Sequence, residues 1–387
     1  MASKGWPALS LKDICLPKNG IRRGPFGGSL KKSSFVPSGY KVYEQGNVIY
    51  NDFSSGAYYI NEAKFKSLKA FEIFPNDLLI SCSGTVGKVV IVPNGIQPGV
   101  MNQALLRLRL DSTKVLTKYM WIVLNSDDAQ QKLTGATHGS AMKNIVAVGQ
   151  IKKIAFPIPP IAVQKNIVAI LSSWMDAITA VERLIDVKMR LKRGLLKKLL
   201  TGKVRFKRFK SKWETMEVGE LLSYEQPVKY LVKSIKEYDE KLVPVLTANK
   251  SFIRGSTDDK ENVYSNLPAI IFDDFTMDSK YVDFPFKVKS SAIKILTPSN
   301  KDVCLRFVYE AMKLLKLSSK YHKRYFISEY QYETLDVPPI EEQLAIADFS
   351  SHLDVEIEQL QKLLKLKTLE KTGLIQKLLT GEIPVKV

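Results

Sequence analysis

Apolar residues recur every three or four positions along two long stretches of the chain. In the first, the stripe runs Ile167, Leu171, Trp174, Ile178, Val181, Leu184, Val187, Leu191, Leu195 and Leu199. In the second it runs Ile346, Leu353, Ile357, Leu360, Leu363, Leu364, Leu374 and Leu378. This spacing puts the apolar side chains on one face of an α-helix and requires that face to be buried. Pro160 and Pro339 fit the first turn, where a missing N–H costs nothing, and Gly202 and Gly381 fit the residue just past the last turn.

The two predicted helices are copies of each other. Residues 159–202 and 338–381 align without a gap at an offset of 179, and 17 of 44 positions are identical, where unrelated segments would match at about three. Each copy opens on Pro-Pro-Ile, carries Gln three residues later and closes on Leu-Leu-Thr-Gly. A helix of about 40 residues is about 60 Å long, too long for one small domain to cover, so the expected partner of each copy is the other copy. In a head-to-tail repeat, antiparallel pairing then sets the blocks preceding the helices at opposite ends of a rod.

Those blocks read as mixed α/β. Tyr40–Tyr43, Asp77–Ser81, Gly87–Val92 and Ala104–Leu110 are short, apolar, β-branched or aromatic runs bounded by Pro, Gly, Asn and Asp, and read as strands. Residues 117–134 read as one helix, with Tyr119, Ile122, Val123 and Leu133 roughly on one face. The second block repeats the opening of the first: Trp213, Met216, Val218, Glu220 and Leu221 follow Trp6, Leu9, Leu11, Asp13 and Ile14 at an offset of 207. Beyond that opening the two diverge, as expected of a common frame with different surface loops. The expected class is α+β, two mixed α/β domains separated by two long helices packed as an antiparallel coiled coil. Residues 1–156 form the first domain, 157–206 the first helical segment, 207–334 the second domain and 335–387 the second helical segment.

Composition narrows the partners. The chain has 387 residues, with 58 Lys+Arg against 39 Asp+Glu, a net charge of +19 and a pI near 9.5. A polyanion is the natural partner, and nucleic acid leads because no helix has the features of a membrane anchor. No apolar run reaches the roughly 18 residues of a membrane span, and the N-terminus lacks a signal-peptide core, so the chain reads as soluble and non-secreted. Cys15, Cys82 and Cys304 lie far apart and away from His138, His322 and His352. They suit reduced core thiols better than a metal site or disulfide framework.

The catalytic motifs of DNA-modifying enzymes are missing. Residues 84–89, GTVGKV, have the wrong glycine spacing for a phosphate-binding loop and no Ser/Thr after the lysine. Residues 24–28, GPFGG, read as a turn or phosphate-contact loop. The Pro-Pro pairs open helices instead of sitting in the Asn/Asp-Pro-Pro-aromatic run that holds a flipped base. Asp273 and Asp274 lack a following Glu-x-Lys and read as turn or cap residues. Three scattered histidines support no Ser/His/Asp or Cys/His arrangement.

The chain resembles the specificity subunit of a type I restriction-modification system over nearly its whole length. The resemblance rests on the Pro-Pro-Ile-x2-Gln openings at 159–164 and 338–343, the Leu-Leu-Thr-Gly exits at 199–202 and 378–381, and RGPFGGSLKKS at 23–33. It also rests on YEQGNVI at 43–49, GTVGKVVIV at 84–92, NQALLRLRL at 102–110, GSAMKNI at 139–145, and on VLTANKSFIRG and IIFDDFTMDSKYVDFPFKVKSSAIKIL in the second half. It implies that 1–156 and 207–334 are target-recognition domains, each reading half of a split site in double-stranded DNA. The helical segments would then be conserved spacers. It further implies a non-catalytic, cytoplasmic subunit with no cofactor or metal of its own, which binds two methyltransferase subunits and, through them, restriction subunits. S-adenosylmethionine, ATP and Mg would sit on those partners. One departure stands out: a repeat follows each domain and none precedes the first. The symmetry is circular only if the C-terminal end lies near residue 1.

Phosphate contacts supply affinity and register, and groove-facing polar side chains supply the reading. In the first domain Arg22, Arg23, Lys31, Lys32 and Lys88 are candidates for phosphates, with Ser29, Gln45, Asn47, Asn102, Gln103, His138 and Lys143 as loop residues near DNA. In the second domain the candidates are Thr247, Lys250, Arg254, Lys280, Tyr281, Lys287, Lys294 and Arg324. The plainer readings are turn residues for Asn47 and Asn102, solvated surface for Lys31 and Lys32, and core aromatics for Tyr281 and Phe284. On the helices, Pro160, Trp174, Ile178, Val181, Leu184, Leu195, Pro339, Leu353, Ile357, Leu360 and Leu374 are expected between the helices or against a partner subunit. Two other classes stay open, a stand-alone DNA-binding regulator and a self-sufficient DNA-modifying enzyme.

Overall fold

The computed structural model describes residues 5–135, 145–248, 251–315 and 324–385. It divides into two compact units, Met1–Val181 with Leu363–Val387, and Glu182–Lys362. The long helices are Ile161–Leu199 and Ile340–Thr380. Each unit therefore holds one block, one half of the first helix and the complementary half of the second. This division by compactness cuts both helices, whereas the four-part sequence division kept them apart from the blocks.

In the first unit a four-stranded sheet runs in the order Ile21–Arg23, Leu105–Leu108, Leu78–Ser81, Val89–Ile91. Both of its faces are covered, which is why these strands read as continuous apolar runs. Leu78, Ile80, Leu106 and Leu108 join one core with the helix Thr117–Leu124, and Leu79, Val90 and Leu105 join another with Tyr43 and Met101. A second sheet runs Phe35–Val36, Tyr59–Ile60, Tyr40–Tyr43, Gly99–Met101, and its last two strands are parallel. Ala8–Ser10 pairs antiparallel with Ala155–Pro157 and ties the start of the block to its end. The single helix expected over 117–134 is two, Thr117–Leu124 and Asp127–Thr134. Asn125 turns its amide back to the Trp121 carbonyl at 2.8 Å, and Ser126 caps the new helix through the Ala129 N–H.

The second unit repeats this topology with one strand fewer, since nothing among its described residues matches Phe35–Val36. Its four-stranded sheet runs Leu222–Glu225, Ile293–Pro298, Ala269–Asp273, Ser279–Val282, and its second sheet runs Ile253–Thr257, Val243–Leu246, Lys287–Val288, again with one parallel pair. Glu214–Glu217 pairs with Thr334–Val337 as Ala8–Ser10 pairs with Ala155–Pro157. The helix Leu305–Met312 stands where Thr117–Leu124 stands in the first unit.

The halves of the long helices run antiparallel within each unit. In the second, Lys188 meets Glu356 at 2.7 Å and Lys192 meets Asp354 at 2.5 Å, so the partner number falls as the first rises. In the first, Ile167, Leu171, Leu374 and Leu378 belong to one core, and Lys367 lies 4.9 Å from the centre of the Trp174 ring. That core also includes the first block, so these helix halves pack on the block as well as on each other. Ile178, Leu353 and Ile357 are buried and Trp174, Val181, Leu195, Leu360 and Leu374 half-buried, as the stripe requires. Leu184 departs from it at 43% exposure, and Val187 and Leu191 are exposed too. Pro160 and Pro339 lie on the surface, which suits first-turn residues better than interhelical contacts.

The repeated motifs at the helix ends have a physical cause. Gln164 accepts from Leu116 N–H at 2.8 Å and donates to the carbonyls of Lys114 and Pro159. Gln343 does the same with Cys304, Asp302 and Pro338. Each buried amide thus locks the start of a long helix to the loop before the short helix of its block. At the other end Gly202 and Gly381 take the left-handed conformation, with φ of +63° and +74°, the usual end of a helix. A Cβ on Gly381 would lie 3.6 Å from the Trp6 ring, as one on Gly202 would lie 3.8 Å from Trp213. The C-terminal end does lie beside the start of the first block, as circular symmetry requires.

Candidate nucleic-acid interface

Four loops of the first unit meet beyond the ends of its sheets. Gly24 backs onto the Asn102 carbonyl so closely that a Cβ would fall 1.7 Å from its oxygen, and Gly24 N–H donates to the Leu105 carbonyl at 2.9 Å. Any side chain at Gly24 would push the two loops apart. Arg23 Nε donates to the Gln103 carbonyl at 3.3 Å. Asn102 donates to a Glu44 carboxylate oxygen at 3.5 Å and accepts from Ala104 N–H at 3.0 Å. Burial holds the Glu44 carboxyl above its ordinary pKa, and the Asn102 hydrogen bond opposes that rise. Gly84 lies against the neighbouring Gln45, whose amide nitrogen would be 3.5 Å from an added Cβ. The loop around Gly84 is closed by Ser81 Oγ, which donates to the Thr85 carbonyl and accepts from Lys88 N–H.

The structure thus brings Arg23, Gln45, Asn102 and Gln103 together, with Ser29, Lys31, Lys32 and Lys88 exposed on the same loops. Two expectations in this unit are corrected. Asn47 is only 3% exposed; it accepts from Glu44 N–H and donates to the carbonyls of Asp52 and Ser55, so it is a loop knot and not a reading residue. Arg22 points away from Arg23, as alternation along a strand demands, and binds Asn19 beside the Phe71 ring. His138 and Lys143 lie outside the described residues.

In the second unit three candidates turn inward. Lys294 is fully buried, 3.3 Å from the Asp274 carboxylate and hydrogen-bonded to Gln226. Lys287, 2% exposed, donates to Asp259 and to the Glu261 carbonyl, and its hydrogen bond pulls the Asp259 carboxyl below its usual range. Tyr281 packs against Tyr309 at 5.7 Å under the Arg306 guanidinium, and burial pushes its phenol pKa up. These three hold the interior, where a lysine ammonium needs a carboxylate and carbonyls in place of water. Lys280 is half-buried, and Arg254 and Arg324 are exposed. The Thr247 hydroxyl donates to the Ser251 carbonyl at 2.7 Å. Lys250 lies outside the described residues.

Sequence reasoning passed over Phe26 and Tyr50, exposed by 84% and 80% on the loops of the first unit. Phe26 had a visible signal, an aromatic set between Gly-Pro and Gly-Gly in a basic run. Asp273 accepts from the N–H groups of Phe275 and Thr276, and Asp274 from that of Phe326, so both carboxylates are engaged in turns and packing. Among the described residues no group of three His, Cys, Asp or Glu side chains is placed to hold a metal, and no helix is long and apolar enough to cross a membrane.

Comparison with known proteins agrees with this architecture. The family described as the type I restriction modification DNA specificity domain matches residues 4–189. A type I restriction enzyme specificity subunit of Escherichia coli is 43% identical over 130 residues, a match reaching 32% of this chain and 32% of that subunit. A putative type I restriction enzyme specificity subunit of Methanocaldococcus jannaschii is 25% identical over 359 residues, 85% of this chain and 83% of that one. The crystal structure of the type I restriction-modification S subunit from M. genitalium shares the fold with a TM-score of 0.60 at 18% identity, covering both chains in full. The HsdS subunit of Thermoanaerobacter tengcongensis does so with a TM-score of 0.52 at 13% identity, covering 99% of this chain and 98% of that one. Residues 4–189 match the type I restriction modification DNA specificity domain, and over most of its length the chain is similar to specificity subunits of type I restriction-modification systems.

Proposed function

We infer that this chain is the DNA-reading subunit of a type I restriction-modification complex and makes or breaks no bond itself. Each target-recognition domain reads one half of a split site in double-stranded DNA. The paired helices hold the halves apart and recruit two methyltransferase subunits, and restriction subunits join through those. S-adenosylmethionine, ATP and Mg belong to the partners, and the assembly works in the cytoplasm. The carrying observation is one topology built twice with unlike loops: Arg23, Gln45 and Gln103 on one copy, Arg254 and Arg324 on the other. Two different loop sets on a duplicated frame suit a target with two different halves. The charge of +19 supplies sequence-independent attraction to phosphates.

The test is to express the chain with its methyltransferase partner and map modified adenines in the genome, then to exchange residues 207–334 for the corresponding block of another such subunit. The expected result is a bipartite motif with a fixed spacer, of which the exchange alters one half only. Alteration of both halves would refute independent reading. Methyl transfer by the purified chain alone would make it an enzyme. Tight site-specific binding with no methyltransferase retained on purification would make it a stand-alone regulator.

A further inference from the structure

Phe26 leaves 84% of its surface in water, more than any other large apolar side chain described. Its loop is nevertheless anchored. Two residues earlier Gly24 is pressed against Asn102 and bonded to Leu105, Pro25 is buried, and Ser29 N–H donates to the Phe26 carbonyl at 2.8 Å. The ring therefore stands out from a fixed base. Around that base lie Arg23, Gln103 and the exposed Lys31 and Lys32, and the one carboxylate in the loop cluster, Glu44, is engaged by Asn102. An apolar tip on a cationic platform is matched by a polyanion with an apolar interior, and in duplex DNA that interior is the base stack.

We propose that Phe26 is a wedge: when the first domain docks on its half-site, the ring enters between two adjacent base pairs and unstacks that step. This rests on the DNA-reading function inferred above. Phosphate contacts from Arg23, Lys31 and Lys32 set the height of the loop, and the anchored backbone lets the ring enter with little loss of chain entropy. Proteins that insert apolar side chains in this way trade stacking for a bend that brings more surface into contact. The second unit presents no aromatic of comparable exposure among its described residues, the largest being Tyr332 at 59%. The distortion is therefore confined to the first half-site.

The experiment uses the chain in complex with its methyltransferase partner and duplexes carrying the bipartite site, with one single-strand nick moved step by step through the first half-site. A nick keeps every base edge and loosens stacking at one step. The expected result is that a nick at one step tightens binding by wild type about tenfold, the order expected when an unstacking cost is removed. Phe26→Ala gains nothing at any step, and Phe26→Leu keeps part of the gain, because leucine is also a wedge. Identical nick profiles for wild type and Phe26→Ala would overturn the proposal. So would reproduction of the Phe26→Ala loss by deoxyuridine in place of thymine, which would assign the ring to a thymine methyl, or loss of the methyltransferase on purification of the variant. If wild type binds no bipartite site, the DNA-reading function itself fails; if it binds one with a flat nick profile, only the wedge fails.

Discussion

The two units have the same topology but bury their charges on opposite faces of the same strand. In the first, the central strand presents Leu106 to the helix-side core and Arg107 to the other face; in the second, the corresponding positions are Lys294 and Ile295. One residue along a strand is a change of face. Arg107, 1% exposed, donates to the carbonyls of Glu72 and Asn19, and burial pulls its pKa down to about 10. Lys294 faces a buried carboxylate, Asp274, at the position of Cys82 in the first unit. The helix junction differs likewise. Ile122, Leu171 and Met175 of the first unit correspond to Glu310, Ser350 and Asp354 of the second, where Arg306 and Lys192 pair with the two acids. A fold of this kind tolerates a buried charge at more than one point, provided the local partners are built with it.

The largest effect should come from separating the buried charges. Lys294→Met strands the Asp274 carboxylate in the core and is expected to destabilise the second unit by about 3–5 kcal/mol. Arg107→Met strands only carbonyls, and that of Glu72 keeps a hydrogen bond from Arg109, so its cost is about 1–3 kcal/mol. The double variant Asp274→Asn/Lys294→Met, which removes both charges and keeps an acceptor for Phe326 N–H, should recover most of the loss. Urea unfolding followed by hydrogen exchange in each unit measures all three. If Lys294→Met proves no worse than Arg107→Met, the contrast between carboxylate and carbonyl partners fails.

Where the units are alike, they should respond alike. Gln164→Leu and Gln343→Leu each leave one N–H and two carbonyls without their partner, a loss of about 2 kcal/mol. Faster amide exchange should appear at Leu116 in the first case and Cys304 in the second, each confined to its own unit. Unequal losses would mean that the repeated motif does different work in its two copies.

The sequence made the long helices legible, since a 3.6-residue period sustained through each copy, with Pro-Pro before it and Leu-Leu-Thr-Gly after it, admits one conformation. The strands of the first block were legible as short apolar runs between turn residues. The break at Asn125–Ser126 was missed because the apolar face continues across it. The equivalence of the two blocks was readable only at their openings, since beyond these the shared element is backbone topology and the buried residues have exchanged types. Asn47, Lys287 and Lys294 were misread for one reason: residue type shows that a side chain is polar, and the partners that turn it inward lie in other segments. Lys287, for instance, finds Asp259 28 residues earlier. Gln164 was visible as part of a motif, but its use depends on Leu116 and Lys114, 48 and 50 residues before it.

The smallest expected effect separates the units by how they hold their loop carboxylates. In the first, the Asp52 carboxyl is held down to about 2, chiefly by the Ser54 hydroxyl and N–H. In the second, the Asp258 carboxyl is lowered chiefly by its hydrogen bond from Lys236, in a pair exposed on both sides. Both are carboxylates depressed in the folded state, so each supports its loop above the ordinary value of 3.8 and releases it as pH falls through the folded value. Salt distinguishes them, because the Debye length shrinks from about 10 Å at 0.1 M to about 3 Å at 1 M. A charged partner is screened and a hydroxyl is not. In an NMR titration repeated at the two ionic strengths, the Asp258 pKa should rise toward its ordinary value while that of Asp52 stays in place. Equal movement of both would mean that the hydroxyl clamp at Asp52 is itself driven by distant charge, of which a chain carrying +19 has a large excess.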